Sequence, residues 1–497
     1  MRDDGTPNCV DLQNFISGRF QTDRFTLAGT GAAETWAARF SYKGFRYVQV
    51  IGWPSGAPKA EDIVAEVVHT DLRSTASFAC SSPTMTRIHE ITVDTVLNNL
   101  HHLPTDTPKY EKNGWTGDGM VAAELILTNF DAGEIMAKCV DDIADSRYGH
   151  AQPALIAPSP GWGTGAGAPP WHAAYVLVPW WLHRYRGDTR VVAEHYEGIA
   201  RYARFEYARS NGGIADTSLG DYVSPETSPG GGNCNAPEDT RVSATAYLYA
   251  MLRSTAEMAR IRECDEDSAE FGRLADEVKS AFEREFWRTE TAEYRGRGDT
   301  EYRHTHNLLA VALGLVADSD RQRVVDGIAC DVRSRDGALT TGVLGTKFLL
   351  PVLTAYGHAD VAVKLAERTE FPGWGHWLLL GATTTWEHWR AESRSRDHYF
   401  LGTIDDWLFG DVLGIRPAAA AYAEVIIRPA VTAYLDGAEG HVETPYGRLG
   451  VRWNASEDVL LELEIPTGVI AHIHAPDGDS LTVGSGSHTM RFPRGRI

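Results

Sequence analysis

The sequence lacks the features expected of a nucleic-acid-binding protein. Its formal net charge is −20, and no stretch is both basic and aromatic. A surface that binds phosphates needs clustered lysine and arginine, which this chain scatters along its length, so we expect no nucleic-acid partner. An acidic surface favours solubility and tolerates neutral ligands such as sugars.

Cysteine is also scarce, with six residues among 497 and no CxxC pair. We interpret the cysteines mainly as buried or incidental thiols in a reducing compartment, although spacing alone leaves disulfides open. No zinc-ligand spacing, P-loop, GxGxxG after a strand or nucleophile elbow occurs, so we expect no cofactor and no metal ion.

Long hydrophobic runs and targeting signals are absent too. The N-terminus, MRDDGTPNCV, has no basic region followed by an apolar one. The most apolar stretch, Ala173 to Leu182, is too short to span a bilayer and contains Pro179. We therefore expect a cytoplasmic protein with no membrane partner, provided that Met1 is the true start.

The chain length favours about three domains. Residues 1–78 are predicted to form an N-terminal β domain, complete or truncated, because Phe40 to Val50 reads FSYKGFRYVQV and alternates aromatic with β-branched side chains. Residues 417–497 are predicted to form a C-terminal β-sandwich from short β-like runs separated by turns. The clearest runs are Ala423–Arg428, Gly440–Val442, Gly447–Trp453 and Val459–Glu464.

Residues 79–416 have helical spacing of their apolar side chains. About a dozen helices alternate with long loops rich in glycine and proline, such as Pro158–Pro170 and Asp221–Pro237. Loops of that length in a compact domain are usually functional. A dozen paired helices suit an (α/α)6 barrel, whose loops gather around a pocket at one end.

The first candidate site is the acidic segment PTDTPKYEKNGWTGD. Asp106, Glu111 and Asp118 lie close together there, with Trp115 between the last two. Carboxylates accept hydrogen bonds from hydroxyl groups, and an aromatic face covers the apolar side of a sugar ring. A solvated acidic loop is the alternative, but an exposed tryptophan is uncommon without a ligand or a core to cover it.

The second candidate site is FPGWGHWLLLGATTTWEHWR, in which Glu387 is the only acidic residue among many tryptophans. A tryptophan-rich core strand with a glutamate at its rim is the alternative. Two carboxyl groups on either side of a sugar are the minimum apparatus for cleaving a glycosidic bond. Trp171, Asp221, Tyr222 and His398 are weaker candidates, since each alone is more often structural.

Together these segments resemble the bacterial α-L-rhamnosidases of glycoside hydrolase family 78. The resemblance runs from about Phe20 to the C-terminus and also includes TGVLGT and HYFLGTIDDWLFGDVLGI. It implies an (α/α)6 barrel flanked by β domains and an inverting, single-displacement mechanism. In that mechanism Glu111 would be the general acid and Glu387 the general base, roughly 6.5–9.5 Å apart.

The resemblance also implies which residues contact the sugar. Asp106 and Asp118 would bind hydroxyl groups, and the remaining predicted substrate-binding residues are Trp115, Trp171, Asp221, Tyr222, Trp374 and His398. The chain departs from the family where many members have an Arg-Asp-Glu run. Here Lys109-Tyr110-Glu111 stands instead in a segment one residue shorter, which leaves the aglycone preference open. Tyr222 stands where a tryptophan is common.

Three other functions remain open. A sugar phosphorylase on the same fold would need one acid and a phosphate site in place of the base, which Glu387 argues against. A non-catalytic carbohydrate-binding protein need not keep both glutamates, and a scaffold protein would not need the acidic Gly-Trp loop. The expected partner is a carbohydrate with terminal α-L-rhamnose, and self-association into a homo-oligomer stays open.

Overall fold

The computed structural model describes residues 21–109, 111–147, 151–161, 167–229, 234–476 and 478–494. Its central part is helical, as the apolar spacing predicts. The helices are α1 (Pro83–Asn98), α2 (Thr116–Val121), α3 (Ala123–Asn129), α4 (Gly133–Asp145), α5 (Pro169–His172), α6 (Ala174–Arg186), α7 (Arg190–Arg209), α8 (Thr240–Ile261), α9 (Asp265–Phe286), α10 (His304–Ala312), α11 (Arg321–Ser334), α12 (Val343–Ala355), α13 (Ala359–Glu367), α14 (Trp374–Leu379) and α15 (Ile404–Trp407).

Local chemistry explains where these helices begin and end. The Ser82 hydroxyl accepts a hydrogen bond from the Met85 amide at 3.2 Å, and Pro83 occupies the first turn of α1. Helix α6 ends at Gly187, whose φ of 71° suits a residue without Cβ. Neighbouring helices such as α8 and α9 pack together along the chain, and their apolar faces enter one continuous core.

The C-terminal part contains two sheets. One has the strand order β1-β6-β7-β8-β11, and the other has the order β10-β9-β5-β4. Side chains alternate between buried and open along β7 and β8, which is typical of strands with one face on a core. The strands are β1 (Ala76–Cys80), β2 (Trp287–Arg288), β3 (Glu293–Tyr294), β4 (Ile415–Pro417), β5 (Glu424–Ile427), β6 (Gly437–Thr444), β7 (Gly447–Ala455), β8 (Asp458–Ile465), β9 (Ile470–His474), β10 (Ser480–Val483) and β11 (Gly486–Pro493).

Strand β1 crosses the domain boundary that was predicted at residue 78. It pairs antiparallel with β6, so it belongs to the C-terminal sheet although it precedes the helices. Its Phe78 ring contacts Phe409 and His89, at centroid distances of 5.8 and 5.6 Å. The five-stranded sheet therefore contacts the first helix, through His89, and the last helical turns, through Phe409.

The N-terminal segment differs from its prediction. Among described residues 21–75 no β-strand of any length forms, and this includes Phe40 to Val50. Phe40 is fully exposed, and Ile51 and Val67 are 86% and 84% exposed. A strand needs a hydrogen-bonded neighbouring strand, and none pairs with these described residues, so the structure does not confirm the strand prediction for them.

Two expectations from composition can be compared with the described residues. Among the described residues, the five cysteines form no disulfide with one another, and Cys9 lies outside the described residues. No helix among the described ranges is long and apolar enough to cross a membrane. Parts of the two long loops singled out in the sequence, residues 162–166 and 230–233, also lie outside the described ranges.

Replacing Phe78 by alanine should lower the free energy of unfolding by about 3–5 kcal/mol, because a buried ring at the junction between sheet and helices leaves a cavity. Phe40→Ala is the matched control, since that ring is fully exposed and its loss should change stability by about 0.5 kcal/mol or less. Denaturant unfolding of both variants measures the difference. Equal stabilities would contradict the role given to Phe78.

Candidate active site

The acidic loop lies between α1 and α2 and is closed by its own backbone. The Asp106 amide donates to the Asn113 carbonyl at 2.9 Å, and the Asn113 amide donates to Asp106 Oδ1 at 2.7 Å. A Cβ on Gly114 would lie 2.1 Å from the Ala157 carbonyl oxygen, so only glycine fits there. These contacts fix the backbone on both sides of Glu111.

The Glu111 side chain is only 5% exposed, and donors reach both of its carboxylate oxygens. The Trp115 indole Nε1 donates to Oε2 at 2.9 Å. Arg394 Nη2 donates to Oε1 at 2.6 Å, although the two residues lie 283 positions apart. Trp115, predicted to contact the sugar, is half-buried and also orients the predicted acid.

Glu387 lies on an irregular loop after α14 and is tied to Ser395. The Ser395 amide donates to Glu387 Oε2 at 3.1 Å, and the Glu387 amide donates to the Ser395 carbonyl at 3.0 Å. The second oxygen, Oε1, lies 3.7 Å from Arg394 Nη2. The structure therefore brings both predicted catalytic carboxylates to one guanidinium.

A hydroxyl pair also joins the two candidate segments. Thr107 Oγ1 lies 2.8 Å from Ser395 Oγ, and both side chains are buried. The Ser395 hydroxyl lies 3.1 Å from the Asp397 carbonyl and can donate to it, which leaves Thr107 as the donor in the pair. This contact sets the acidic loop against the loop that carries Glu387.

Asp118 lies in the first turn of α2, fully buried beside His398. The Phe400 amide donates to His398 Nδ1 at 3.2 Å, so in the neutral ring Nε2 carries the proton and faces Asp118 Oδ1 at 3.2 Å. Burial lowers the pKa of His398 to about 4. The imidazole is therefore neutral over most of the pH range and acts as a hydrogen-bond donor.

Burial, together with the nearby negative charges, raises the pKa of both aspartates in the site. Burial, followed by the nearby charges of Glu111 and Asp118, raises the pKa of Asp106 well above its ordinary value. Burial also raises the pKa of Asp118, and the charges of Glu111 and Glu387 add to the effect. A protonated carboxyl can donate as well as accept, which suits the recognition of sugar hydroxyls.

An aromatic wall stands beside these carboxyl groups. Trp171 meets Tyr222 and Phe400 edge to face, at centroid distances of 6.2 and 6.4 Å. A Cβ on Gly117 would lie 2.4 Å from the Trp171 ring, so α2 approaches the ring closely only because residue 117 is glycine. Phe400 was not among the predicted site residues, although it directly follows the His398-Tyr399 pair.

The four tryptophans near Glu387 pack on one another in a buried core. The rings of Trp377 and Trp389 stack at 5.2 Å, and Trp374 meets Trp389 edge to face at 5.0 Å. Trp374 is fully buried, and its Nε1 donates to the Leu401 carbonyl at 2.8 Å. The structure therefore places Trp374 behind the site, in contrast to its predicted place on the pocket wall.

Asp221 also differs from its predicted role as a sugar ligand. Its buried carboxylate accepts hydrogen bonds from the Thr305 hydroxyl at 2.5 Å and from three amides at the start of α12, those of Gly342, Leu344 and Gly345. Through these hydrogen bonds the Asp221 carboxylate holds the start of α12 against the loop that contains Asp221. Tyr222, the next residue, remains on the aromatic wall.

Arg394 is the site residue that sequence reasoning missed. Its signal was present in AESRSRDHYF, where the arginine precedes the predicted His398. Two arginines in that run are equivalent by pattern, but Arg396 is exposed and lies over the Trp386 ring at 4.5 Å. Only the folded loop shows which of the two faces the carboxylates.

The N-terminal segment supports the acidic loop from outside. Lys112 Nζ donates to the Tyr42 carbonyl at 2.5 Å and lies 4.1 Å from the centre of the Tyr42 ring. A Cβ on Gly44 would lie 3.2 Å from the Lys109 amide nitrogen. The backbone of this segment therefore touches the loop directly, next to Glu111.

Elsewhere, Asp141, Glu194 and His195 offer ligand atoms within 4.8 Å of one another. Both carboxylates are exposed, and His195 Nε2 already contacts Asp141 at 2.9 Å. Exposed acidic groups often reach this spacing without an ion, and the cluster lies on α4 and α7 rather than on the catalytic loops.

Asp221→Ala should lower the free energy of unfolding by about 3 kcal/mol or more, because it leaves several buried donors without an acceptor. The same substitution at Asp318, whose side chain is 88% exposed, should change stability by about 0.5 kcal/mol or less. Thermal or denaturant unfolding distinguishes the two variants. A small loss at Asp221 would contradict its structural role.

Comparisons with known proteins find α-L-rhamnosidases similar to this chain in sequence and in structure. An α-L-rhamnosidase of Streptomyces avermitilis is 31% identical over 488 residues, which cover 95% of this chain and 45% of that protein. A crystal structure of that organism's α-L-rhamnosidase complexed with L-rhamnose has a TM-score of 0.80 at 28% identity, covering 88% of this chain and 44% of the other. The native enzyme from Aspergillus terreus gives 0.87 at 26% identity, covering 94% and 56%.

Domain descriptions extend the same similarity along the chain. Residues 1–69 match the bacterial alpha-L-rhamnosidase concanavalin-like domain, and residues 414–490 match the C-terminal domain of the same family. The chain spans about half the length of the curated relatives it matches. Residues 73–412 match the bacterial alpha-L-rhamnosidase 6 hairpin glycosidase domain, and the chain therefore belongs to the bacterial α-L-rhamnosidase family.

Proposed function

We propose that this protein is an inverting α-L-rhamnosidase that releases terminal α-L-rhamnose from a glycoside or oligosaccharide. The observation that carries the proposal is the meeting of Glu111 and Glu387 at Arg394, with two further carboxyl groups and an aromatic wall around them. Membership of the family supports the choice of sugar.

The two glutamates would divide the reaction between them. Glu111 in its protonated form gives its proton to the glycosidic oxygen as the bond to the anomeric carbon breaks. Glu387 in its ionised form takes a proton from a water molecule, whose oxygen attacks that carbon from the opposite face. The net change is addition of water across one bond, with inversion at the anomeric carbon.

Asp106, Asp118 and His398 would bind the sugar hydroxyls. Burial raises the pKa of both aspartates, and the neutral His398 ring has its donor directed at Asp118. Trp171 and Tyr222 would cover the apolar parts of the ring. The half-buried Trp115 would hold the Glu111 carboxyl group beside these sugar-binding residues.

We also infer that the helices from α1 to α15 pair into an (α/α)6 barrel with the catalytic loops at one end. The six-hairpin domain description and the packing of neighbouring helices such as α8 on α9 and α12 on α13 support this arrangement. The concanavalin-like match at residues 1–69 favours counting that segment with an N-terminal β-sandwich.

Glu111→Gln should abolish hydrolysis of rhamnosides with poor leaving groups and should spare activated aryl rhamnosides, because these need little protonation as they depart. Steady-state rates on p-nitrophenyl α-L-rhamnoside and on an alkyl or disaccharide rhamnoside measure the split. Glu392→Gln, an exposed change on the other catalytic loop, is the matched control and should behave as the parent protein. Equal losses on both substrates would remove Glu111 from the acid role.

Glu387→Ala should lower kcat by several orders of magnitude, and azide should restore turnover by attacking from the space that alanine leaves. Proton NMR of the parent reaction should show β-L-rhamnose as the first anomer released, as inversion requires. First release of the α anomer would refute the inverting mechanism. Absence of azide rescue would argue against Glu387 as the base.

Asp106→Ala should mainly weaken sugar binding, because it removes a buried carboxyl group beside the acid. We expect a higher KM for p-nitrophenyl α-L-rhamnoside and a lower affinity for free L-rhamnose by calorimetry. Unfolding experiments must first show that the variant is folded, since Asp106 also accepts from Asn113. Unchanged kinetic constants in a folded variant would contradict a sugar-binding role.

A further inference from the structure

Arg394 is placed where it acts on both catalytic groups at once. Its Nη2 lies 2.6 Å from Glu111 Oε1 and 3.7 Å from Glu387 Oε1. The three side chains are 12%, 5% and 11% exposed, so water screens these contacts only weakly. A guanidinium keeps its charge at every pH that the protein survives.

The acidic loop does not supply this charge through Lys112, the residue next to Glu111. The Lys112 ammonium donates to the Tyr42 carbonyl and lies over the Tyr42 ring. The cation at Glu111 Oε1 instead comes from the loop that carries Glu387. Charge for the acid is thus provided by the segment that holds the base.

The bridged geometry describes the free protein. Glu111 Oε1 and Glu387 Oε1 both lie beside the same Arg394 nitrogen, at 2.6 and 3.7 Å. A carboxylate paired with arginine is an acceptor only, whereas Glu111 must hold a proton to give one. The contact between Arg394 and Glu111 therefore has to loosen before Glu111 can act as the acid.

We propose that Arg394 is a positioning residue of the catalytic pair, which holds Glu111 and Glu387 together in the free protein and sets the pH range of activity until the sugar displaces it. This inference rests on the proposed function of the two glutamates. The other titratable groups that face the pair are Asp106, Asp118, Tyr222 and His398.

The sign of the expected effect follows from the charge. A cation beside a carboxylate favours the ionised form over the protonated form, and Arg394→Met removes that cation from the catalytic pair. Both limbs of the profile of kcat/KM against pH, which reports the free protein, should move up by roughly one to three pH units in Arg394→Met. The limbs of kcat, which report the complex, should move less because the sugar has already displaced the guanidinium.

The variants for this experiment are Arg394→Met, Arg394→Lys and the control Arg396→Met, assayed on p-nitrophenyl α-L-rhamnoside. Lysine keeps the positive charge but lacks the planar guanidinium, so the limbs of Arg394→Lys should lie close to those of the parent protein. Arg396 is exposed on the same loop, and its variant should keep the parent profile. A merely structural role for Arg394 lowers the rate without moving the limbs, and unmoved limbs would overturn the proposal.

Crystal structures of the parent protein and of Arg394→Met test the same inference without any substrate. We expect the Glu111 carboxylate to leave its position beside Trp115 in the variant, and an unmoved Glu111 would overturn the proposal. This result stands even if the protein cleaves no rhamnoside. Failure of the parent protein to turn over would refute the proposed function and leave the structural test to decide the role of Arg394.

Discussion

Carboxyl groups that share a poorly hydrated space repel one another, and this site gathers Asp106, Glu111, Asp118 and Glu387 around one point. The protein meets that repulsion in two ways. The pKa of each aspartate is raised, so these groups remain protonated to a higher pH than in water. The two glutamates instead receive a guanidinium charge from Arg394, together with N–H donors. In the proposed reaction this difference lets the aspartates bind neutral hydroxyl groups while the glutamates transfer protons.

Such an arrangement is useful only if the surrounding structure prevents the groups from moving apart. Behind Glu387 the stacked rings of Trp377 and Trp389 fill the core, and their indole N–H groups donate to backbone carbonyls. In front, Ser395 binds Glu387 through its backbone and Thr107 through its hydroxyl. Side chains locked by packing and by hydrogen bonds hold catalytic geometry more closely than loops alone could.

The sequence allowed the local features to be predicted and left the long-range ones hidden. Apolar spacing identified the helices, and the acidic segment revealed Asp106, Glu111 and Asp118, because these residues are neighbours in the chain. The burial of Trp374 was not predictable, because an aromatic residue near a glutamate can line a pocket or fill the core, and only packing decides. Arg394 was missed because its partner lies 283 positions away.

Two other predictions meet the same physical limit. The run from Phe40 to Val50 has the alternation of a strand, but alternation cannot supply the neighbouring strand that hydrogen bonding requires. Asp221 sits in a loop typical of a binding site, yet the amides at the start of α12 use its carboxylate. In both cases the outcome depends on a partner that lies far away in the chain, a neighbouring strand or the start of α12, and the local sequence does not show that partner.

The C-terminal sheet completes this argument, although none of the site side chains described above comes from it. Strand β1 leads directly into α1 and the acidic loop, whereas the loop of Glu387 and His398 leads into the helical turns before β4. The sheet holds both approaches, since β1 pairs with β6 and the Trp453 indole in β7 donates to the Val412 carbonyl. Between them, Thr95 of α1 accepts the Thr385 amide at 2.8 Å. The sheet therefore supports both segments from outside the site, in addition to the contacts that join them directly at Arg394 and at Thr107.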